Sequence, residues 1–351
     1  MRIQWVDRFL DRIGSPELDW IQVEVTSRCN AACIYCPQPF LGRKQHMPLG
    51  LFKNLLPYLG YIDLVYLQGW GEPLLNPDLF SMIRACKAKG KRVGFTTNGM
   101  LLDEETSARL IDLDTDIISI SLAGTTPATH DRIRKGTDLV KIIENLDRMQ
   151  QIRAKKKARH PAIHFAYLML ASNLDELRDV VGLAKRLGVG QIVCSHLTWI
   201  LHEGLRPEAL FNRKEEQRCL DGILEATAAE AQKQNLIFAF NSPSLQKQTP
   251  RCSENICRSC LVSVAGDVGP CVFTSSTLSQ DSGRPLAHVF QNSLEPCHPL
   301  SFGNIAHESL TRIWDKKAYH EFRYFHDPET RPGIDSLSLP LSCRTCHKRE
   351  A

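Results

Sequence analysis

The stretch Cys29-Asn-Ala-Ala-Cys33-Ile-Tyr-Cys36 holds three thiols within eight residues, directly after the alternating run Trp20-Ile-Gln-Val-Glu-Val-Thr26. Such alternation of apolar and polar residues predicts a β-strand with one buried face. A structural zinc or iron–sulfur site is closed by four protein ligands, whereas three ligands leave one coordination position for a molecule from solution. The spacing therefore predicts a reactive metal centre at the end of a first strand.

Composition and charge bound the possible functions. The chain has 351 residues, a formal net charge of +4 and 23% charged residues, which is ordinary for a globular protein and indicates neither nucleic acid nor a membrane as partner. Asp7 and Arg8 interrupt the apolar stretch that a signal peptide would need. We therefore expect a cytoplasmic protein. In a reducing compartment, its thirteen cysteines are more typical of metal or redox sites than of disulfides.

The pattern from residue 20 to about residue 197 predicts the fold class. Six short apolar runs alternate with segments of helical periodicity, which is typical of βα units and a parallel sheet. Because a full TIM barrel has eight such units, we expect an α/β fold built as a partial (β/α)6 TIM-type barrel. Its chemistry should lie at the carboxyl ends of the strands. The predicted strands are 21–25, 64–67, 92–96, 117–122, 163–168 and 191–194, and the predicted helices are 79–89, 104–113, 139–153 and 174–187.

Changes in composition divide the chain into four expected parts. Residues 1–19 should contain an N-terminal helix at 6–13, and residues 20–200 the barrel core. Residues 201–248 should form a helical segment and a linker, because the Ser/Pro stretch Asn241-Ser-Pro-Ser is typical of a connection. Residues 249–351 should form a small cysteine-rich α+β extension.

The C-x3-C-x2-C pattern after a first strand resembles the radical S-adenosylmethionine (SAM) enzymes. The resemblance implies that Cys29, Cys33 and Cys36 are the catalytic ligands of a 4Fe–4S cluster, whose remaining iron binds the amino and carboxylate groups of SAM. It also implies reductive cleavage of SAM to a 5′-deoxyadenosyl radical, which abstracts hydrogen from a substrate. A zinc site is the alternative that the same three cysteines allow.

Further motifs carry the same resemblance. Gly69-Trp-Gly71-Glu72-Pro resembles the family's Gly-Gly-Glu-Pro loop, which holds the methionine amino group, and Arg134 resembles the arginine that pairs with the methionine carboxylate. Glu72 could instead cap a turn, and Arg134 could form a surface salt bridge. The remaining implied cofactor contacts are Tyr35 near adenine, Ser119 and Ser121 at the fourth strand, and Asn173 at the ribose; Asn98 joins them by its place after the third strand. Ser121 could instead be a turn residue, and Asn173 could cap the helix predicted at 174.

The C-terminal cysteines resemble the SPASM or Twitch extension of the family. The spacing Cys252-x18-Cys271 followed by Cys343-x2-Cys346 implies one auxiliary 4Fe–4S cluster held by these four residues. Because the chain stops soon after Cys346, we expect no second auxiliary cluster. Either Cys257 or Cys260 could replace Cys252, and structural zinc is the competing occupant.

The resemblance implies a radical SAM oxidoreductase or maturase. We expect oxidative modification or maturation of a peptide, protein or cofactor, with the auxiliary cluster relaying an electron and a flavodoxin or ferredoxin as electron donor. The stretch 68–77 with Ile-Trp-Asp at 313–315 looks most like the subgroup associated with maturation of tungsten-cofactor oxidoreductases. Because few residues precede Trp20, we expect no leader-peptide-binding domain, which disfavours a leader-guided peptide maturase unless a separate protein supplies recognition. The alternatives are a small-molecule dehydrogenase and a non-catalytic metal-binding scaffold protein.

Overall fold

The computed structural model describes residues 18–212, 217–240, 252, 254–278, 286–327 and 339–349. The helix expected at 6–13 and the linker expected at 241–244 lie outside these residues. In the described ranges, no helix is both long enough and apolar enough to cross a lipid bilayer.

The strands of the described residues are numbered in chain order. They are β1 (Trp20–Val23), β2 (Leu64–Tyr66), β3 (Arg92–Thr97), β4 (Ile117–Leu122), β5 (Ala162–Met169), β6 (Gln191–His196), β7 (Ile237–Phe240), β8 (Ser259–Val262), β9 (Asp267–Gly269), β10 (Ala287–Phe290), β11 (Ser293–Pro296) and β12 (Gly303–Asn304). The helices are α1 (Leu49–Lys53), α2 (Leu79–Ala88), α3 (Glu104–Asp112), α4 (Pro127–Ile133), α5 (Leu139–Lys155), α6 (Asp179–Arg186), α7 (Gln217–Lys233), α8 (Leu310–Trp314), α9 (Lys317–His326) and α10 (Leu341–Arg344).

Most strands belong to one large sheet in the order β12-β9-β8-β1-β2-β3-β4-β5-β6-β7. The run from β8 to β7 is parallel, whereas β9 and β12 pair antiparallel at one edge. Strands β10 and β11 form a separate antiparallel hairpin. Among the described strands β7 and β8 do not pair with each other, so the sheet does not close, and the predicted partial barrel is confirmed.

The core lies between the sheet and its helices. Residues on one face of β1 to β5 are fully buried, as Ile21, Val65, Phe95, Ile120 and Phe165 are. The opposite face of β5 is half-buried at every second residue, which is the period-two pattern of a sheet covered on one side. Because the strands run parallel, the segments that follow β1 to β4 lie at one edge and can meet there.

Two strands enlarge the sheet beyond the six predicted units. Strand β7 pairs parallel with β6, so the interval expected to hold a helical segment and linker also supplies a strand. Strand β8, in the expected cysteine-rich extension, pairs parallel with β1 in a register that aligns Trp20 with Ser259. The extension is therefore continuous with the barrel sheet.

Candidate active site

The three cysteines of the first cluster lie on the loop that follows β1. Cys33 is buried, whereas Cys29 and Cys36 are half-buried. The loop folds back on itself: the Cys36 amide donates to the Cys33 carbonyl at 3.0 Å, and the Ala31 amide donates to the Cys29 sulfur at 3.4 Å. Burial, together with the neighbouring sulfurs of Cys33 and Cys29, raises the pKa of the Cys36 thiol to about 12. The three sulfurs thus lie closely enough to interact, and a bound metal would have to displace their protons.

The segment after α4 runs alongside this loop and carries Arg134. The Ala32 amide donates to the Lys135 carbonyl at 2.7 Å, and the Ile34 amide donates to the Ile133 carbonyl at 3.0 Å. These two hydrogen bonds fix Arg134 next to the thiols. Its guanidinium is only 7% exposed and donates to the Tyr35 hydroxyl.

Arg134 is a buried cation whose electrostatic partners include the Glu72 carboxylate and the neighbouring thiols. Burial acts to lower the pKa of the guanidinium, but Tyr35 and the sulfurs of Cys33, Cys36 and Cys29 raise it well above its usual range. In the described ranges no carboxylate forms a salt bridge with Arg134, and its Nε atom is buried without a hydrogen-bond partner. A guanidinium can bind a carboxylate through two parallel hydrogen bonds, so Arg134 is a candidate to bind an anion.

The Gly-Trp-Gly-Glu loop after β2 packs against the start of the cysteine loop at van der Waals contact. A Cβ atom on Gly71 would lie 2.3 Å from the Thr26 carbonyl oxygen and 2.5 Å from that of Arg28. The Glu72 amide donates to the same Arg28 carbonyl at 2.8 Å. Only glycine permits this approach, so the residue type at position 71 is dictated by the packing of two site loops.

The Glu72 side chain ties this loop to the segment that follows β3. It is 2% exposed and accepts hydrogen bonds from the Leu74 amide (3.2 Å), the Thr97 hydroxyl (2.7 Å) and the Asn98 amide (2.7 Å). Burial raises the pKa of the carboxyl group, and these donors oppose the rise. Glu72 thus does cap the turn at Pro73–Leu75, and in the same geometry it joins two strand ends.

Asn98 extends the connection to the cysteine loop. Its side-chain amide donates to the side-chain carbonyl oxygen of Asn30 at 2.7 Å, between two of the ligating candidates. The structure therefore brings Tyr35, Gly71, Glu72, Asn98 and Arg134 together around one loop.

The other three predicted cofactor contacts differ from one another. Ser119 is 7% exposed and accepts a hydrogen bond from the Tyr66 hydroxyl at 2.8 Å. Ser121, two residues closer to the carboxyl end of β4, is half-buried and accessible. Asn173 is 1% exposed, and its side chain bonds the Leu170 amide and the carbonyls of Ala123 and Leu168. These bonds occupy the Asn173 side chain within the chain and favour the structural alternative for it.

The C-terminal cysteines surround a second cavity. Cys252, Cys271, Cys343 and Cys346 all line it, together with Lys348. Burial raises the pKa of the Cys252 and Cys271 thiols, and the other cysteines of the group raise both further. Lys348 pairs with Glu254 at 2.8 Å and contributes a positive charge beside these sulfurs.

Cys257 and Cys260 lie elsewhere. The Cys257 sulfur is 3.6 Å from the Arg323 carbonyl oxygen, and Cys260 is buried within β8 at 1% exposure. The charged neighbours of both thiols come from α9 and the residue after it, and neither thiol lines the cavity of the other four. The geometry thus groups Cys252 with Cys271, Cys343 and Cys346.

The donor atoms of both sites are cysteine sulfurs, which bind zinc and iron–sulfur clusters. In the described ranges no group of three or more His, Cys, Asp or Glu is compact enough to hold a single metal ion. Zinc draws its four ligands to about 2.3 Å from one centre, whereas the thiolates of a 4Fe–4S cluster each bind a different iron. The donor chemistry of both cysteine groups fits a 4Fe–4S cluster, because cysteine thiolates are the ligands that such clusters use.

Two family models match the chain. Residues 23–194 match the Radical SAM superfamily, and residues 252–347 match SPASM, an iron–sulfur cluster-binding domain. The chain belongs to the radical SAM superfamily. This radical SAM enzyme accordingly uses SAM and a 4Fe–4S cluster, and its C-terminal part is an iron–sulfur domain.

Relatives and solved structures agree with this family. The radical SAM enzyme is 24% identical over 335 residues to the tungsten-containing aldehyde ferredoxin oxidoreductase cofactor-modifying protein of Pyrococcus furiosus, covering 93% of this chain and 89% of that protein. It is 28% identical over 341 residues to the PqqA peptide cyclase of Ruegeria pomeroyi, with coverage of 93% and 78%. Its fold resembles Streptococcus suis SuiB bound to S-adenosylmethionine, with a TM-score of 0.65 at 14% identity over 97% of this chain and 74% of that chain. It also resembles anSMEcpe with bound AdoMet and a peptide, with a TM-score of 0.61 at 17% identity and coverage of 93% and 87%.

Sequence reasoning missed two groups that shape the site. Thr97 donates to Glu72, and Glu24 accepts from the Trp70 amide at 3.0 Å. Thr97 directly follows the third predicted strand, 92–96, so its position near the site was predictable although its bond to Glu72 was not. Glu24 had no comparable signal, because it continues the alternation of β1 on the same face as Gln22.

Proposed function

We propose that Cys29, Cys33 and Cys36 hold the 4Fe–4S cluster that binds SAM, and that Arg134 binds the methionine carboxylate. The observation that supports this most is the buried guanidinium of Arg134, which lies beside the three thiols, forms no salt bridge with a carboxylate of the described residues, and leaves its Nε atom without a hydrogen-bond partner. A cation left uncompensated in a protein interior is costly unless a ligand completes its pairing. The carboxylate of SAM supplies that partner.

The surrounding residues orient the cofactor. The cluster, when reduced, supplies the electron that cleaves the sulfonium bond of SAM to give a 5′-deoxyadenosyl radical. The Glu72 carboxylate holds the Gly69–Glu72 loop in position, so that backbone carbonyls of this loop can accept from the methionine amino group. Tyr35 orients Arg134 and lies on the adenine side, while Ser121 offers a hydroxyl at the carboxyl end of β4.

We assign the auxiliary cluster to Cys252, Cys271, Cys343 and Cys346. Their common cavity supports this set over one that contains Cys257 or Cys260. Four thiolates complete the coordination of a cluster, so this cluster accepts or relays an electron and does not bind substrate directly. The match to an iron–sulfur cluster-binding domain supports iron over zinc. A flavodoxin or ferredoxin as electron donor and a cytoplasmic location complete the proposal, since cysteines that must stay reduced to bind clusters suit a reducing compartment.

The substrate that we propose is a peptide or a peptide-like cofactor precursor. Two relatives that align over most of this chain are a cofactor-modifying protein and a peptide cyclase. The reaction is hydrogen abstraction followed by oxidation of the substrate radical, with the electron passing to the auxiliary cluster. The domain limits proposed for it are 20–200 for the SAM-binding core and 249–351 for the auxiliary domain, joined by 201–248.

The test is anaerobic reconstitution followed by assay of 5′-deoxyadenosine release from SAM under dithionite. We expect the wild type to release the nucleoside, and a Cys29→Ala, Cys33→Ala, Cys36→Ala variant to lose about half of the iron and all release. Cys219→Ser is the matched control, because Cys219 is exposed and lies outside both cysteine groups. Nucleoside release that survives in the triple variant would refute the assignment.

A further inference from the structure

Glu24 is a buried carboxyl group at the junction of the two parts of the enzyme. It follows β1 directly and is 0% exposed. Its amide donates to the Val262 carbonyl at 2.8 Å, which continues the pairing of β1 with β8. The residue thus lies where the SAM-binding core meets the region matched to the iron–sulfur domain.

The two carboxylate oxygens of Glu24 face different partners. Oε1 accepts from the Trp70 amide at 3.0 Å, in the Gly69–Glu72 loop. Oε2 accepts from the Val264 amide at 3.2 Å and from the Thr277 hydroxyl, both in the auxiliary domain. One side chain therefore bonds the loop after β2 with one oxygen and the auxiliary domain with the other.

The loop lies directly on the Glu24 side chain. A Cβ atom on Gly69 would be 2.2 Å from the Cγ atom of Glu24, closer than any real contact, so the loop backbone touches the methylene stem. On its other side the loop touches the backbone of the cysteine loop through Gly71. The loop is thus held between the cluster loop and Glu24, and a shift of Glu24 must shift the loop.

The Glu24 carboxylate accepts hydrogen bonds from two backbone amides, of Trp70 and Val264, and from the Thr277 hydroxyl. A carboxylate that accepts several N–H and O–H bonds is stable in a protein interior, whereas the loss of one donor leaves part of the charge uncompensated. The Trp70 amide and the auxiliary-domain donors therefore stabilise the same carboxylate jointly. A coupling of this kind is reciprocal, so a change on the auxiliary side is felt on the loop side.

We propose that Glu24 is a positioning residue through which the auxiliary domain sets the position of the Gly69–Glu72 loop and thereby the affinity for SAM. The inference rests on the proposed function, in which this loop contacts the methionine part of SAM. It gives the auxiliary domain a second role besides electron transfer.

The test compares Glu24→Gln and Thr277→Val with the wild type. Glutamine keeps the size of the side chain but replaces one carboxylate oxygen with an NH2 group. This group faces N–H or O–H donors and cannot accept hydrogen bonds from them. The valine removes only the hydroxyl donor of the auxiliary domain and leaves Glu24 and its bond to Trp70 in place. We expect the KM for SAM in 5′-deoxyadenosine release to rise about tenfold in Glu24→Gln and severalfold in Thr277→Val, as the loss of one hydrogen bond to a charged group predicts. The iron content and kcat should stay close to those of the wild type.

Asp116→Asn is the matched control. Asp116 is also a buried carboxylate that accepts from a backbone amide, that of Val93 at 2.8 Å, but it lies at the start of β4, at the opposite end of the strands from the site loops. This variant should unfold at a lower temperature than the wild type and keep its KM for SAM. If the KM for SAM rises equally in Asp116→Asn, the effect of Glu24→Gln comes from general destabilisation of the protein, and the inference is overturned.

The remaining outcomes separate the inference from the proposed function. If the wild type releases the nucleoside but Glu24→Gln binds SAM as well as the wild type does, the inference is wrong and the proposed function stands. If Glu24→Gln fails to fold, Thr277→Val decides, and an unchanged KM overturns the inference. If the wild type itself releases no nucleoside, the proposed function fails first.

Discussion

Gly71→Ala should damage the proposed SAM site through steric overlap alone. The added methyl group would lie 2.3 Å and 2.5 Å from two carbonyl oxygens, of Thr26 and Arg28, and both oxygens belong to backbone that cannot rotate away. The Gly69–Glu72 loop must then move outward by about 1 Å to restore normal contacts, at the cost of roughly 1–3 kcal/mol that is typical of overpacking. The outward shift also stretches the hydrogen bond from the Glu72 amide to the Arg28 carbonyl.

Two measurements follow from this overlap. Thermal unfolding should occur at a lower midpoint, by about 2–4 °C for each kcal/mol in a domain of this size. SAM-dependent release of 5′-deoxyadenosine should fall, with a raised KM for SAM. Gly182→Ala is the control, because the residue is inside helix α6 and the added methyl group would meet no atom within 4 Å beyond its own stretch of helix. It should be neutral or stabilising by up to about 1 kcal/mol. A Gly71→Ala enzyme that unfolds and binds SAM like the wild type would refute the steric argument.

Three further predictions concern single side chains. Cys271→Ser should lose the auxiliary iron while Cys257→Ser keeps it, which iron and sulfide analysis will measure; equal loss in both would contradict the proposed ligand set. Arg134→Lys should raise the KM for SAM about tenfold at unchanged iron content, because an ammonium cannot reproduce the bidentate guanidinium fork; an unchanged KM would exclude a carboxylate contact. Burial lowers the pKa of His130 to about 3, whereas an imidazole in the unfolded chain has a pKa of about 6.5. Between these two pH values the unfolded chain binds one more proton than the folded protein. The free energy of unfolding should therefore decrease as the pH is lowered through this window, by up to about 1.4 kcal/mol per pH unit. Denaturant unfolding at pH 5.5 and pH 7 measures this decrease, and His130→Gln should make it smaller. An equal decrease in this variant would contradict the role of His130.

The barrel strands were predictable because their signals are local. Alternation or an apolar run marks each of β1 to β6, and the spacing of Cys29, Cys33 and Cys36 falls directly after the first. The outcome for β7 differs, since Ile237–Phe240 is short and its first residue is 61% exposed. The sequence of these four residues does not predict that they pair with β6.

The pairing of β8 with β1 was beyond reach for a different reason. The paired residues Trp20 and Ser259 are far apart in sequence. Parallel strands are not joined by a short turn, so no local sequence signal indicates that they pair. The same separation in sequence made the burial of Glu24 unpredictable. Its alternation with Val23 and Val25 predicts a solvent-facing carboxylate, and the Gly69–Glu72 loop and the auxiliary region together bury it.

The parallel pairing of β1 with β8 has a consequence for the order of synthesis. On the ribosome, β1 emerges long before its neighbour on this side, because Trp20 and its partner Ser259 are separated by 259 − 20 = 239 positions. At about 5–20 residues per second, that edge of β1 waits roughly 12–48 s for its neighbour. During this interval the cysteine loop has already left the exit tunnel, while the strand that leads into it is paired on one side at most. The cysteine loop therefore lacks its cover on the side of Glu24 until the residues that pair with β1 from the C-terminal region have been synthesised.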